Sequence, residues 1–200
     1  NISSLIGLIE SAEDNDEREE MIGLLKSVST SLNDTMTNLN EVVSIQTNIS
    51  LNVEKISLNT YINNTLKVLS EQIKSNDITL TNLVSNDIEI NYNPAYMESI
   101  LYNIISNAIR YRDRDRKSII SIKFYLENDF NVLEISDNGI GIDLKKNKDK
   151  IFGMYKTFSN YKDSKGIGLF ITKNQVDAMG GNITVESEPN AGTTFKIYII

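Results

Sequence analysis

The 200-residue chain contains no cysteine and no histidine. Without cysteine there is no disulfide framework and no thiolate chemistry. Without histidine, neither imidazole catalysis nor histidine metal ligation can come from these residues. No apolar run approaches the roughly 20 residues needed to cross a bilayer, and no signal peptide is visible. Positive charge is short as well. Lysine and arginine number 20 against 27 acidic residues, a net charge of −7, which gives a nucleic-acid-binding surface no electrostatic support. What is present, 40% hydrophobic and 24% charged residues, is ordinary for a soluble globular protein. The length suits one large or two small domains. The expectation is a cytoplasmic piece of a longer, potentially membrane-anchored protein, with no membrane contact of its own.

The first quarter reads as helical. Ile2, Leu5, Ile6 and Ile9 fall on one helical face, and an acidic turn-prone stretch follows at Glu13–Asp16. A longer pattern then runs to about Ile49, with Met21, Leu25, Val28, Leu32, Leu39 and Val42 in steps of three and four and Thr35 filling one slot. That heptad spacing favours a helical hairpin over residues 1–50 that packs against a second copy as a dimeric four-helix bundle. A seam against the rest of the chain is the alternative.

From residue 51 the rhythm changes. A strand-like "VEKIS" leads into a helix from Leu58 to about Ser75, and two short strands, "ITLTNLV" and "IEINYN", follow. Pro94 opens a broad apolar helix, where its fixed φ and missing N–H cost nothing. After the charged "RYRDRDRK" come the alternating strands "SIISIKFYLE" and "NVLEISD", then a polar loop and the short "KIFGMYKTF". A helix from about Gly166 to Met179 and a closing hairpin complete the chain. The pattern predicts an α+β fold over residues 51–200: a two-layer α/β sandwich with a mixed sheet covered on one face.

Four places invite a chemical reading. "VLEISDNGIGID" ends an apolar strand in Asp137 and then gives up side chains at Gly139 and Gly141; this is either turn chemistry or backbone approached closely by a ligand that Asp137 reads. On the Pro94 helix, Asn103, Asn107 and Arg110 are spaced i, i+4 and i+7 on one face. Asparagine is a mediocre helix former, so the pair is either a set of satisfied amides or a functional stripe. A carboxamide oxygen suits Mg²⁺, and Arg110 suits a phosphate oxygen. "SKGIGLF" runs side-chain-free backbone into a helix N-terminus, an anion site by its free N–H groups and dipole. "NAGTTFKI" sets Gly192 and Thr193 at the start of the last strand, which by itself reads as a hairpin turn.

In order, "NIISNA", "DNGIGI", "IFGMYKTF", "KGIGLF" and "GTTF" resemble the N box, the glycine boxes and the F box of histidine-kinase-type ATP-binding domains, in the superfamily shared with gyrase, chaperone and MutL ATPases. The preceding hairpin resembles the dimerisation and phosphotransfer domain of a sensor histidine kinase, its first helix truncated. A P-loop would need Lys-Ser or Lys-Thr after its last glycine, and a Rossmann turn a third glycine opening an apolar helix; neither occurs. The resemblance implies that Asp137 accepts the adenine amino group, with Gly139 and Gly141 letting the base lie against backbone. It implies that Asn107 is the Mg²⁺ ligand, with Asn103 as the neighbouring polar position. Arg110 would lie on the phosphates and Tyr111 would flank the nucleotide. Phe152 and Phe158 would anchor a lid over ATP, with Lys156 between them as a phosphate contact or a solvated lysine. Gly166 and Gly168 match the second glycine box, and Gly192 with Thr193 the third.

Two departures stand out. Ser164 replaces a usual glycine, and only seven residues separate Phe158 from Gly166, so the lid is short. The phosphorylated histidine is absent and by resemblance would lie just upstream of Asn1. The implied function is the kinase core of a two-component sensor, passing the ATP γ-phosphoryl group to a bundle histidine and on to a response-regulator aspartate. A non-catalytic nucleotide-binding scaffold is the alternative. Gyrase- and chaperone-type hydrolysis is disfavoured, because those enzymes use an N-box glutamate where this chain has Asn103.

Overall fold

A computed structural model describes residues 6, 7, 9, 11, 14–46, 52–147, 150–154 and 166–200. The chain divides into two compact units, Asn1–Thr47 and Asn48–Ile200. In the first, α1 runs Asn15–Gln46, with Asp16 and Glu17 in its first turn where the helix dipole favours negative charge. Ile6, Gly7, Ile9 and Ser11 are helical as well, while Ile2 and Leu5 lie outside the described residues. Along α1, Met21 and Leu25 are partly covered, and Val28 and Leu32 are 39% and 50% exposed. The side chains of Thr35, Leu39 and Val42 lie outside the described set.

The second unit begins with β1 (Glu54–Ser57), α2 (Leu58–Val68) and α3 (Ser70–Ser75). The single helix expected over this stretch is interrupted at Leu69, which is fully buried. Strand β2 (Thr79–Asn82) is shorter than its apolar run, and β3 (Glu89–Tyr92) pairs antiparallel with β1 rather than joining the main sheet. Next come α4 (Pro94–Arg110), β4 (Ile119–Glu127), β5 (Phe130–Asp137), α5 (Leu144–Asn147), α6 (Gly168–Ala178), β6 (Asn182–Glu188) and β7 (Gly192–Ile199). Five strands form one sheet in the order β2-β4-β5-β7-β6; β2 runs parallel to β4, and the other pairs are antiparallel. This is the mixed sheet expected.

The two faces of that sheet follow from strand alternation. Ile120 and Ile122 of β4, Leu133 and Ile135 of β5, and Phe195, Ile197 and Ile199 of β7 point into one core with α4. From α4 come Met97, Ile100, Leu101, Ile104, Ile105, Ala108 and Ile109, all buried. Each large side chain buried this way is worth roughly 1.5–3 kcal/mol before entropy. On the opposite face Val132, in register between Tyr125 and Tyr198, is fully buried. Around it Tyr125 donates its hydroxyl to Glu134 at 2.7 Å, and Lys196 pairs with Glu186 at 3.2 Å. Helix α4 starts cleanly because the Asn93 side chain accepts the Tyr96 N–H at 3.0 Å and Pro94 occupies the first turn.

Candidate nucleotide site

Asp137 is the last residue of β5, in register with Ile120 on one side and Thr193 on the other. Its Oδ1 accepts the Gly139 N–H at 2.8 Å, and the neighbouring Thr193 N–H also favours the charged carboxylate. Burial pushes its carboxyl up to about 6, against the pull of those two N–H groups. A strand end thus holds a desolvated acceptor in one orientation, ready for a polar N–H of defined geometry.

Three loops close around it: 111–118 after α4, 138–143 after β5, and 189–191 between β6 and β7. The Ile140 N–H donates to the Tyr111 carbonyl at 3.0 Å, and the Asn190 N–H to the Ile140 carbonyl at 2.7 Å. A Cβ on Gly139 would overlap the Tyr111 carbonyl oxygen, and one on Gly141 would overlap that of Glu188. Gly141 also holds φ +67°, a left-handed conformation that other residues seldom adopt. Both glycines are therefore demanded by the packing of loop on loop, before any ligand approaches. Asn138 fastens the same loop to β4, accepting the Ile119 N–H at 2.8 Å and donating to the Lys117 carbonyl at 2.9 Å. Ser187 Oγ accepts the Ile142 N–H at 2.8 Å and donates to the Gly192 carbonyl at 2.7 Å.

The polar stripe of α4 lies beside this cluster, joined to it through Tyr111 at the helix C-cap. Asn103 and Asn107 are partly buried and Arg110 is exposed. Asn103 faces the start of α6: a Cβ on Gly168 would stand 3.2 Å from Asn103 Oδ1. The N-terminus and positive dipole end of α6 therefore open next to the Asn103 carboxamide, an anion-favouring arrangement. Gly166, at φ +66°, leads the chain into that helix. Among the described residues, no three acidic, histidine or cysteine side chains converge as a metal cluster. The neutral Asn107 carboxamide instead fits a hard ion that keeps most of its coordination for phosphates and water.

Phe152 packs against the core from its segment, beside the buried Ile151. Lys156, Phe158 and Ser164 lie outside the described residues. The structure brings Asp137, Gly139, Gly141, Tyr111 and Thr193 into one cluster and sets Asn103 against Gly168. Residue patterns did not point to Asn138, Ser187 or Arg116. Asn138 is hidden inside turn chemistry, Ser187 is one polar residue of an alternating strand, and Arg116 sits in a charged run that reads as a solvated loop.

Residues 92–200 match the family described as Histidine kinase-, DNA gyrase B-, and HSP90-like ATPase. The signal transduction histidine-protein kinase ArlS of Staphylococcus aureus (strain USA300) is 37% identical over 121 residues, 58% of this chain and 26% of ArlS. The chain thus matches over only about a quarter of the length of that curated relative. Among solved structures, Acinetobacter baumannii histidine kinase AdeS superposes with a TM-score of 0.75 at 18% identity, covering 99% of this chain and 92% of that one. The catalytic domain of histidine kinase ThkA gives 0.64 at 22% identity over 74% of this chain and 97% of that one. The five ordered motifs, the sheet order and the loop cluster around Asp137 all agree with the family match: the chain belongs to the histidine kinase-, DNA gyrase B- and HSP90-like ATPase family.

Proposed function

We propose that this domain binds ATP with its adenine amino group on Asp137 and its triphosphate toward Asn107, Arg110 and the N-terminus of α6. In this reading the γ-phosphoryl group passes to a histidine on a dimeric helical bundle and then to a response-regulator aspartate. The observation that carries the proposal is Asp137: a strand-end carboxylate, desolvated, held by the Gly139 N–H and set opposite Thr193 in the ladder. An acceptor that has given up water selects a base that presents a donor to it and disfavours one presenting a carbonyl oxygen.

Asn107 would supply one neutral oxygen to Mg²⁺, whose chemistry is to neutralise developing charge on the phosphates. Arg110 would place a fixed positive charge on a phosphate oxygen, and Asn103 beside Gly168 would orient the entrance to α6. Phe152, packed on the core, supports the segment that would lie over the nucleotide. Asn103 cannot serve as a general base for water, which favours transfer over hydrolysis. Since no histidine occurs in the chain, the acceptor belongs to a longer parent or to a second polypeptide. Among the described residues no helix is long and apolar enough to cross a membrane, and we place the catalytic domain in the cytoplasm, where ATP is.

Calorimetry with ATP and GTP in Mg²⁺ tests binding; equal affinities remove the adenine assignment. Labelling by γ-³²P ATP tests transfer, using a helical bundle that carries a histidine, supplied upstream or in trans. Base-stable, acid-labile label on that histidine is expected. A chain that binds ATP yet labels no such histidine is a scaffold.

A further inference from the structure

We infer that Arg116, held by Asp113, is a positioning residue for the adenine pocket: it clamps the loop whose Gly139 N–H holds Asp137 to the turn that leads into Thr193, the ladder partner of Asp137. The inference rests on the nucleotide reading of that pocket. Arg116 lies in the loop between α4 and β4, beyond the stripe of Asn103, Asn107 and Arg110. Its Nε donates to Asp113 Oδ2 at 2.9 Å, and Nη2 pairs with the same oxygen at 2.7 Å. Asp113 is itself fixed, since its Oδ1 accepts the Asp115 N–H at 3.0 Å. That bond, followed by the one from Arg116, holds the Asp113 carboxyl below the usual carboxylate range.

From this base the guanidinium reaches across the pocket rim. Nη2 donates to the Asn190 carbonyl at 2.6 Å and lies 3.4 Å from the Gly139 carbonyl oxygen. These two carbonyls belong to the two loops that matter. Gly139 is the residue whose N–H holds Asp137 Oδ1. Asn190 sits in the tight turn, at φ +64°, that leads into Thr193, which pairs with Asp137 in the β5–β7 ladder. One planar, permanently charged side chain therefore spans both supports of the reading carboxylate, while a carboxylate on its own loop fixes its direction. Lysine, a point donor on a flexible stem, could keep the Asp113 pair but could not hold the same planar fork.

Without the clamp, the fold of sheet and helices has no reason to change, because Arg116 touches loops only. Asp137 would instead sample orientations that no longer match the adenine amino group alone. Base discrimination should therefore fall, whereas a residue that merely stabilised the fold would lower affinity for every nucleotide together.

The test compares ATP and GTP dissociation constants for the parent chain and Arg116→Ala, with melting temperature as a check on folding. The expected result is a parent preference for ATP that drops at least about fivefold in the variant through weaker ATP binding, with GTP affinity within about twofold. The Gly139 amide proton resonance should also move upfield as its bond to Asp137 loosens. An unchanged ATP-to-GTP ratio overturns the clamp. A parent chain that binds both nucleotides equally overturns the adenine reading and the clamp with it, and is distinguished by the parent measurement alone. Should Arg116→Ala fail to fold, Arg116→Lys is scored by the same ratio, and parent-like discrimination there overturns the proposal.

Discussion

Thr193 stands opposite Asp137 in the β5–β7 ladder, and its backbone N–H, with that of Gly139, favours the charged form of the Asp137 carboxyl. The pairing fixes a charged acceptor where burial disfavours its charge, and this has a cost that can be measured. The folded-state carboxyl titrates near 6 instead of 3.8, so between those values the folded protein binds more protons than the unfolded chain. Stability should fall as pH rises through that window and level off above it. Asp137→Asn should then stabilise the ligand-free domain at pH 8 by ~1–2 kcal/mol, after discounting for solvent relaxation, and by nothing near pH 4. Urea unfolding at the two pH values measures this, and calorimetry should show ATP binding lost in the same variant. No gain at pH 8 would mean that the carboxylate is not desolvated.

Gly141 and Gly168 both belong to glycine boxes yet should answer differently to alanine. At Gly141 the new Cβ would meet the Glu188 backbone carbonyl, which cannot step aside, at a positive φ. Gly141→Ala should cost about 2–4 kcal/mol. At Gly168 the nearest atom is Asn103 Oδ1 at 3.2 Å, the end of a side chain that can turn, and alanine is a better helix former. Gly168→Ala should change stability by less than about 1 kcal/mol while displacing the Asn103 amide. Thermal melts of the two variants decide it, and equal losses would be evidence against the distinction.

Asn59 is the hub of a carboxamide cluster that ties α2 to β2 and the following loop. It is 7% exposed; its Nδ2 donates to Asn86 Oδ1, and its Oδ1 accepts from Asn63 at 3.0 Å and Asn82 at 2.7 Å. Asn59→Leu keeps the volume but removes three bonds, of which the one to half-buried Asn82 is the least replaceable by water, so it should destabilise by about 1–2 kcal/mol. The loss should be largely absent when Asn82→Ala is already in place, a non-additivity that a double-mutant cycle reads directly.

The heptad positions Val28 and Leu32 of α1 are exposed by 39% and 50%. Combining Leu32→Glu with Leu39→Glu should turn a dimer into monomers, because an unpaired carboxylate cannot be desolvated in a seam. Analytical ultracentrifugation at micromolar concentration follows the change. A parent chain already monomeric there contradicts the dimer.

Removing Mg²⁺ from the binding assay should weaken ATP affinity in the parent and much less in Asn107→Ala, since the variant lacks the oxygen ligand. Titrations with and without chelator compare the two. A variant as metal-dependent as the parent assigns Asn107 to structure instead.

Local pattern determined a good deal by itself. Pro94 after Asn93 starts α4 because proline's φ and Asn93's capping oxygen act within one turn. Alternation made β4 and β5 strands with one apolar face, and the five ordered motifs were enough for the family. Tertiary structure alone decided the rest, because the deciding forces join residues far apart in sequence. Leu69 breaks the α2–α3 run as it fills the core, and no helical period announces that. Strand β3 pairs with β1 instead of the main sheet, a choice of backbone partners that side-chain alternation cannot express. Gly139 and Gly141 look like ligand-facing glycines in a short window, yet the atoms that exclude a Cβ there belong to Tyr111 and Glu188. Arg116 reads as one more charge in "RYRDRDRK" until folding brings the carbonyls of Gly139 and Asn190 to its guanidinium, 23 and 74 residues away along the chain.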